Sequence, residues 1–312
     1  MLPDVRGRLG RSLFHRVAGL EGPARRARIH GTPGPRWFGP ERPIRTVHAD
    51  AAMFTGGLAA LLLQSLHPLA MAAVAAHSGY RGDPWGRLQR TSTFLAVTTY
   101  GTAGDAQRAV ERVRGIHARI SGTTADGEAY RAADPHLLAW VHLCETDCFL
   151  RAHERYGAHR LDADGYDAYV ADTARVAEAL GVADPPRDRR ALAERLDAYR
   201  PELRATPEAR TAARFLLLRP PVPPPALPFY AVLAANAVSL LPPWARGLLW
   251  LPRVPLVEDV AVRPAGHALT WAIRWAMNPP PPSPADRTDD PAGPARQGAV
   301  RPSSSPHAHP SR

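Results

Sequence analysis

His117 is the residue whose type and position point most directly to chemistry. It lies late in a stretch whose apolar residues Val110, Val113 and Ile120 recur at helical spacing, so the sequence predicts that His117 is on the buried face of a helix. Burying an unpaired imidazole costs about 1–3 kcal/mol, and a buried histidine therefore needs a hydrogen-bond partner or a metal ion. This stretch alone leaves both a satisfied core histidine and a metal ligand open.

A second group of polar residues follows Asp83. Arg87, Arg90 and Thr91 lie three and four residues apart, which places their side chains on one face of a predicted helix. Two guanidinium groups beside a hydroxyl can bind anions or stabilise negative charge that develops in a reaction. A surface patch or an internal ion-pair anchor is the alternative interpretation. Three more histidines lie on mostly apolar segments nearby: His67, His77 and His142.

The elements that position these residues are predicted to be helices. Asp83 and Asp134 each precede a proline, which is a strong signal for a helix start, and glycines mark several helix ends. Strand-like alternation is scarce. The predicted helices cover about 52–66, 69–77, 84–100, 104–121, 135–155, 163–180, 187–199 and 207–218. The fold class is therefore all-α, with one helical domain.

Composition divides the chain into three parts. A basic N-terminal extension covers residues 1–44, the helical domain covers 45–277, and a Pro/Ser-rich tail predicted to be disordered covers 278–312. The net charge is +10 and all basic residues are arginines, so lysine-based Schiff-base chemistry is excluded. The chain has no zinc finger or other nucleic-acid-binding motif, and we expect no nucleic-acid partner.

The extension itself has two interpretations. Its apolar residues between Val5 and Leu20 recur at helical spacing with arginines between them, which is typical of a basic amphipathic helix. Such a helix either docks loosely on the domain or makes a peripheral contact with an anionic membrane.

Three features of the sequence bear on the cellular compartment of the protein. The charge-free stretch 51–80 is interrupted by His67 and Pro68, which favours two buried helices over a membrane span. Cys144 and Cys148 are predicted to be small core residues in a reducing compartment. No secretory signal pattern is present, and we expect a cytoplasmic location, with a membrane-peripheral one as the alternative.

Six short motifs in sequence order resemble those of one oxygenase family. They are LLLQSLHP at 61–68, HS at 77–78, RLQRT at 87–91, YGT at 100–102, VRGIHARISG at 113–122 and YRAADPHLLAWVH at 130–142. LLPPWAR at 240–246 resembles a later segment of the same family. The family contains latex-clearing protein, the bacterial rubber oxygenase, and the MpaB-type oxygenases of fungal meroterpenoid pathways.

The resemblance implies an all-helical fold with globin-like packing, a bound haem b, and O₂-dependent cleavage of carbon–carbon double bonds in isoprenoid chains. By position, it makes His117 the proximal iron ligand. It places Arg87, Arg90 and Thr91 on the distal, catalytic side. The further histidines His67, His77 and His142 are candidates for orienting His117 or binding the haem propionates. The partners are then O₂ and a small apolar, alkene-bearing substrate.

The chain departs from the rubber oxygenases at three points. Arg90 stands where they carry lysine, Ser121 stands where they carry arginine, and no upstream acidic residue matches their catalytic glutamate. These departures argue against polyisoprene as the substrate. A non-catalytic haem sensor or carrier, and a cofactor-free membrane-associated helical protein, remain as alternative functions.

Overall fold

The computed structural model describes residues 5–79 and 81–277, and its regular structure is almost entirely helical. The helices are α1 Val5–Ala18, α2 Gly22–Gly31, α3 Pro43–Ala49, α4 Ala52–Gln64, α5 Pro68–His77, α6 Pro84–Tyr100, α7 Ala103–His117, α8 Pro135–Tyr156, α9 Ala163–Leu180, α10 Arg189–Ala198, α11 Pro207–Leu218, α12 Leu227–Leu240, α13 Pro243–Leu248, α14 Pro255–Val257 and α15 Arg263–Met277. Short 3₁₀ helices at Arg200–Glu202 and Pro224–Ala226, and a π-helical turn at Glu258–Val262, complete the connections. The all-α prediction is confirmed.

The helix starts predicted from Asp-Pro pairs are present. The Asp83 carboxylate accepts a hydrogen bond from the Gly86 amide, and the Asp134 carboxylate accepts one from the His136 amide. Each cap satisfies an amide that has no partner within its helix, and the following proline needs none. α6 and α8 therefore begin where the sequence places them.

The core forms where α4 packs along α8. Leu62 and Leu63 of α4 and Trp140 of α8 are fully buried, and the Trp140 indole donates a hydrogen bond to the Gln64 carbonyl at 3.1 Å. Each buried leucine contributes about 1.5–3 kcal/mol. Gly56 permits the close approach, since a Cβ there would lie 2.9 Å from the Phe149 ring.

The predicted helix around His117 is shorter in the structure. α7 ends at His117, and Ser121–Thr123 forms strand β1, which pairs antiparallel with β2 at Ala129–Arg131. The prediction that the helix continues to residue 121 is therefore wrong. Residues 121–123 exchange hydrogen bonds with a strand instead of closing another helical turn.

The apolar seam of α7 is also only partly buried. Ala106 and Val110 are inaccessible to solvent, whereas Val113 and His117 are half-buried. The C-terminal half of α7 thus lies at the edge of the core, although the sequence predicts one continuous buried face.

The described part of the N-terminal extension docks on the helical domain. α1 packs against α15 and α6, and the Arg6 guanidinium lies 5.1 Å from the centre of the Trp275 ring. A side chain at Gly10 would collide with the Ala276 carbonyl, which shows how closely α1 and α15 approach. The predicted disordered tail, 278–312, lies outside the described residues.

Length and composition decide whether an apolar helix could cross a membrane. Among the described residues, no single helix is long and apolar enough to cross a membrane, but α3 and α4 pass together, with a 91° bend between them. Cys144 and Cys148 are both buried and unpaired, as predicted.

Candidate functional site

The middle of α8 carries a carboxyl group deep inside the protein. Glu145 accepts a hydrogen bond from the Gln64 side chain of α4 and lies close enough to Arg87 of α6 to be stabilised by its charge. Burial opposes both effects and raises the pKa of Glu145 from 4.5 to about 7. A carboxyl group with such a pKa can take up or release a proton near neutral pH.

His142 lies one turn before Glu145. The Thr146 hydroxyl donates to Thr173 at 3.3 Å, and its oxygen lies 3.4 Å from Nδ1 of His142, from which it accepts a hydrogen bond in the tautomer protonated at Nδ1. Nε2 of His142 then carries a lone pair, and it has no hydrogen-bond partner among the described residues. Burial lowers the pKa of His142 to about 4, which keeps the ring neutral.

Two further side chains with unpaired polar atoms lie beside these groups. His48 of α3 shares a hydrogen bond of 2.8 Å with the Thr99 hydroxyl through Nδ1, and its ring lies 5.9 Å from that of Tyr169. Within the described part of the chain, neither His48 Nε2 nor the Tyr169 hydroxyl has a partner. Burial lowers the pKa of His48 to about 3, and burial, followed by the negative charge of Glu145, raises the pKa of Tyr169.

These residues form one group, the inner cluster: His48, Gln64, Arg87, His142, Glu145 and Tyr169. His142 and Glu145 are surrounded by protein, yet each keeps some surface accessible to water. The arrangement provides a proton-exchanging carboxyl, a cation and unpaired donors in an apolar surrounding.

The three residues of the predicted distal motif are placed differently. Arg87 is half-buried, donates a hydrogen bond of 2.7 Å to the Ser78 hydroxyl, and faces Glu145. Arg90 is exposed and pairs with the Asp83 carboxylate at 3.3 Å, and Thr91 is exposed. Of the three, Arg87 is the one that joins the inner cluster.

His117, the predicted iron ligand, ends α7 in a half-buried position. Burial lowers the pKa of His117, so the ring is neutral at neutral pH. Among the described residues no group makes a hydrogen bond with its side chain, which leaves a nitrogen lone pair for a metal. A neutral, unpaired imidazole fits the requirement for an axial haem ligand.

The other two predicted cofactor-binding histidines are not in the inner cluster. His67 is buried beside His136 and Glu202, next to the ring of Trp140. His77 is exposed at the end of α5, where its Nε2 lies 3.3 Å from the Tyr130 hydroxyl.

Sequence reasoning missed Glu145, His48 and Tyr169. A signal for Glu145 was present, because it follows His142 by three residues and is an acidic residue within an apolar helix. No local pattern distinguishes His48 or Tyr169, whose proximity depends on how α3 packs against α9.

Comparison with known proteins places this site in a wider context. The family model described as "ER-bound oxygenase mpaB/B'/Rubber oxygenase, catalytic domain" matches residues 45–275, a range that contains every residue of the inner cluster. Uncharacterized protein Rv2237 of Mycobacterium tuberculosis and Uncharacterized protein Mb2261 of Mycobacterium bovis are each 34% identical to this chain over 113 residues. That region is 36% of this chain and 44% of each relative, so the match spans less than half of their length. No solved structure matches the chain.

Proposed function

Because the chain belongs to the family of mpaB and rubber oxygenase catalytic domains, we propose that it is an oxidoreductase of the oxygenase type. The proposed reaction is a dioxygenase reaction that uses O₂ and haem b on a small apolar substrate with a carbon–carbon double bond. The family match supports the reaction class, and the inner cluster supplies the chemical groups.

The observation that carries the proposal is the enclosed carboxyl of Glu145 beside the half-buried guanidinium of Arg87. A carboxyl with a pKa of about 7 facing a guanidinium is an arrangement that functional sites use and that structural cores rarely contain. Glu145 would exchange a proton with the substrate near neutral pH. Arg87 would stabilise negative charge that develops on oxygen, a role that the structure favours for Arg87 over the exposed Arg90 and Thr91.

The chemistry of two histidines supports a bound haem. His117 would hold the iron through a neutral ring nitrogen, and His142 offers a second unpaired nitrogen that can orient the group or bind its periphery. A bound haem b would supply the iron centre for O₂ chemistry. The apolar side chains that surround the inner cluster would contact an alkene-bearing substrate and exclude water.

Haem binding is tested by absorption spectra of the full chain produced with a haem precursor. We expect a Soret band in the wild-type protein, its loss in His117→Ala, and its retention in the control His159→Ala, whose side chain is exposed. Circular dichroism checks that the variants fold. A colourless wild-type protein, or an unchanged Soret band in His117→Ala, would contradict the assignment of His117.

Catalysis is tested by O₂ consumption with short isoprenoid alkenes as substrates. Glu145→Gln keeps the shape of the side chain but cannot exchange a proton, and we expect kcat to fall by about 10²–10⁴-fold with the haem spectrum unchanged. The pH profile of the wild-type kcat should show an inflection near pH 7, which the variant lacks. Haem-loaded protein that consumes no O₂ with any alkene would favour a haem carrier instead.

A further inference from the structure

Three metal-ligating side chains from distant parts of the sequence meet at the start of α8. His67 lies between α4 and α5, His136 lies in the first turn of α8, and Glu202 ends the 3₁₀ helix Arg200–Glu202. One ligand atom of each lies within 4.8 Å of those of the other two. We propose that His67, His136 and Glu202 bind one divalent transition metal ion, and that this outer site is separate from the haem site.

The first support is the unsatisfied state of His67. Its side chain is 3% exposed, and neither ring nitrogen has a hydrogen-bond partner within residues 5–79 and 81–277. Nε2 lies 3.5 Å from the nearer Glu202 oxygen, which is too far for a strong hydrogen bond. Buried polar atoms are nearly always paired, and a bound metal ion would supply the partner that His67 lacks among the described residues.

The second support is the hydrogen-bond network of His136. The Tyr199 hydroxyl donates to the His136 carbonyl at 2.8 Å, and its oxygen lies 3.2 Å from Nδ1 of His136, from which it accepts a hydrogen bond in the tautomer protonated at Nδ1. In a neutral ring, Nε2 then carries a lone pair, and it faces the Glu202 carboxylate at 2.8 Å. Two lone pairs that face each other need a cation between them, either a proton or a metal ion.

The donor set indicates the class of metal. Two imidazoles and one carboxylate suit Zn²⁺, Fe²⁺ and neighbouring divalent ions, whereas Mg²⁺ and Ca²⁺ prefer oxygen ligands. The side chains of His136 and Glu202 are 50% and 44% exposed, which leaves an open side for water. Tyr199 is the kind of outer partner that fixes the orientation of a ligating histidine.

The outer site is distinct from the inner cluster. His136 precedes His142 by six residues on α8, a rise of about 9 Å along the helix, and the Trp140 ring lies 6.2 Å from the ring of His67 in the outer site. A metal ion here would connect the α4–α5 junction, the start of α8 and the segment after α10. This proposal does not depend on the oxygenase function.

The test is Zn²⁺ binding to the full chain, prepared without a polyhistidine tag and stripped with a chelator. Isothermal titration calorimetry should show one tight Zn²⁺ site per chain in the wild type. We expect His136→Ala and Glu202→Gln to weaken this site by at least about 100-fold and Tyr199→Phe by about 10-fold, since losing a group that orients a ligating histidine typically costs about 10–100-fold. The thermal midpoint should rise with Zn²⁺ in the wild type and stay constant in the first two variants.

Matched controls separate this site from general metal binding. His159→Ala and Glu208→Gln remove exposed residues outside the site and should leave Zn²⁺ binding unchanged. His117→Ala should also keep it, which distinguishes failure of the metal site from failure of the haem proposal. Wild-type protein that takes up no Zn²⁺, or site variants that bind it as tightly as the wild type, would overturn the proposal.

Discussion

The first turn and the middle of α8 place the same residue types in opposite surroundings. At the first turn, His136 lies beside Glu202 and both side chains are about half exposed. In the middle, His142 and Glu145 are enclosed by α4, α6 and α9, with the pKa of His142 lowered to about 4 and that of Glu145 raised to about 7. Burial thus holds both inner groups neutral around pH 5–6, whereas the outer pair is open to water and to ions.

The surroundings of a histidine–glutamate pair, and not its residue types, decide whether it is suited to proton transfer or to cation binding. An enclosed carboxyl titrates near neutral pH and is suited to proton transfer. A half-exposed pair leaves room for a cation and its water ligands. Trp140 is linked to both regions: its ring packs beside His67, and its indole donates a hydrogen bond to the carbonyl of Gln64, whose side chain contacts Glu145.

Removing the Trp140 side chain should give the largest effect. Trp140 is fully buried, and Trp140→Ala should destabilise the protein by about 3–5 kcal/mol through lost burial and a cavity. It should also open the inner cluster to water and bring the pKa of Glu145 closer to its ordinary value. Urea unfolding measures the first effect. A loss below about 1 kcal/mol would mean that the Trp140 side chain is not packed in the core.

Glu145→Gln should change the pH dependence of stability. Below pH 4.5 the carboxyl is protonated in both the folded and the unfolded chain, and between pH 4.5 and about 7 only the unfolded chain ionises. The wild-type protein therefore loses stability as the pH rises through this window, and the variant lacks that loss. Relative to the wild type, the variant should gain about 3 kcal/mol between pH 4.5 and 7. Parallel urea-midpoint curves for the two proteins would show that Glu145 ionises normally.

His142→Gln should gain stability relative to the wild type as the pH falls, whereas Glu145→Gln gains it as the pH rises. As the pH falls from 6.5 to about 4, the unfolded histidine gains a proton and the folded one does not, so the wild-type protein loses stability. The variant lacks this loss, and its stability relative to the wild type should rise by about 2–3 kcal/mol over that range. The same urea series tests this, with His159→Ala as the exposed control. If the urea midpoints of His142→Gln and His159→Ala change equally as the pH falls, His142 is solvated in the folded protein.

The smallest effect is expected at Arg90. Its ion pair with Asp83 is exposed on both sides, and such pairs contribute about 0–1 kcal/mol. Arg90→Ala should therefore leave the urea midpoint almost unchanged and should not alter the pH response assigned to Glu145. A large change in that response would place Arg90 in the inner cluster after all.

Local sequence signals predicted most of the helices well. α6 and α8 begin at the predicted Asp-Pro pairs, and α9 and α11 have the predicted bounds, because caps and prolines act within one helical turn. The β1–β2 hairpin was not predicted, since the pairing of three-residue strands depends on contacts across a turn that the sequence does not mark clearly. The continuous buried face of α7 was also not borne out, because periodicity shows which residues share a face and not whether a neighbour covers it.

The sequence by itself determined the all-α class, the capped helices, the oxygenase family and the presence of several histidines on apolar segments. Only the tertiary structure decided that Arg87 faces inward while Arg90 pairs with Asp83 at the surface, and that His67 lies with Glu202 and away from His142. The physical reason is the distance along the chain over which each effect acts. Helix propensity and capping act over a few residues, whereas burial, pKa shifts and ligand sets arise where helices distant in sequence pack together.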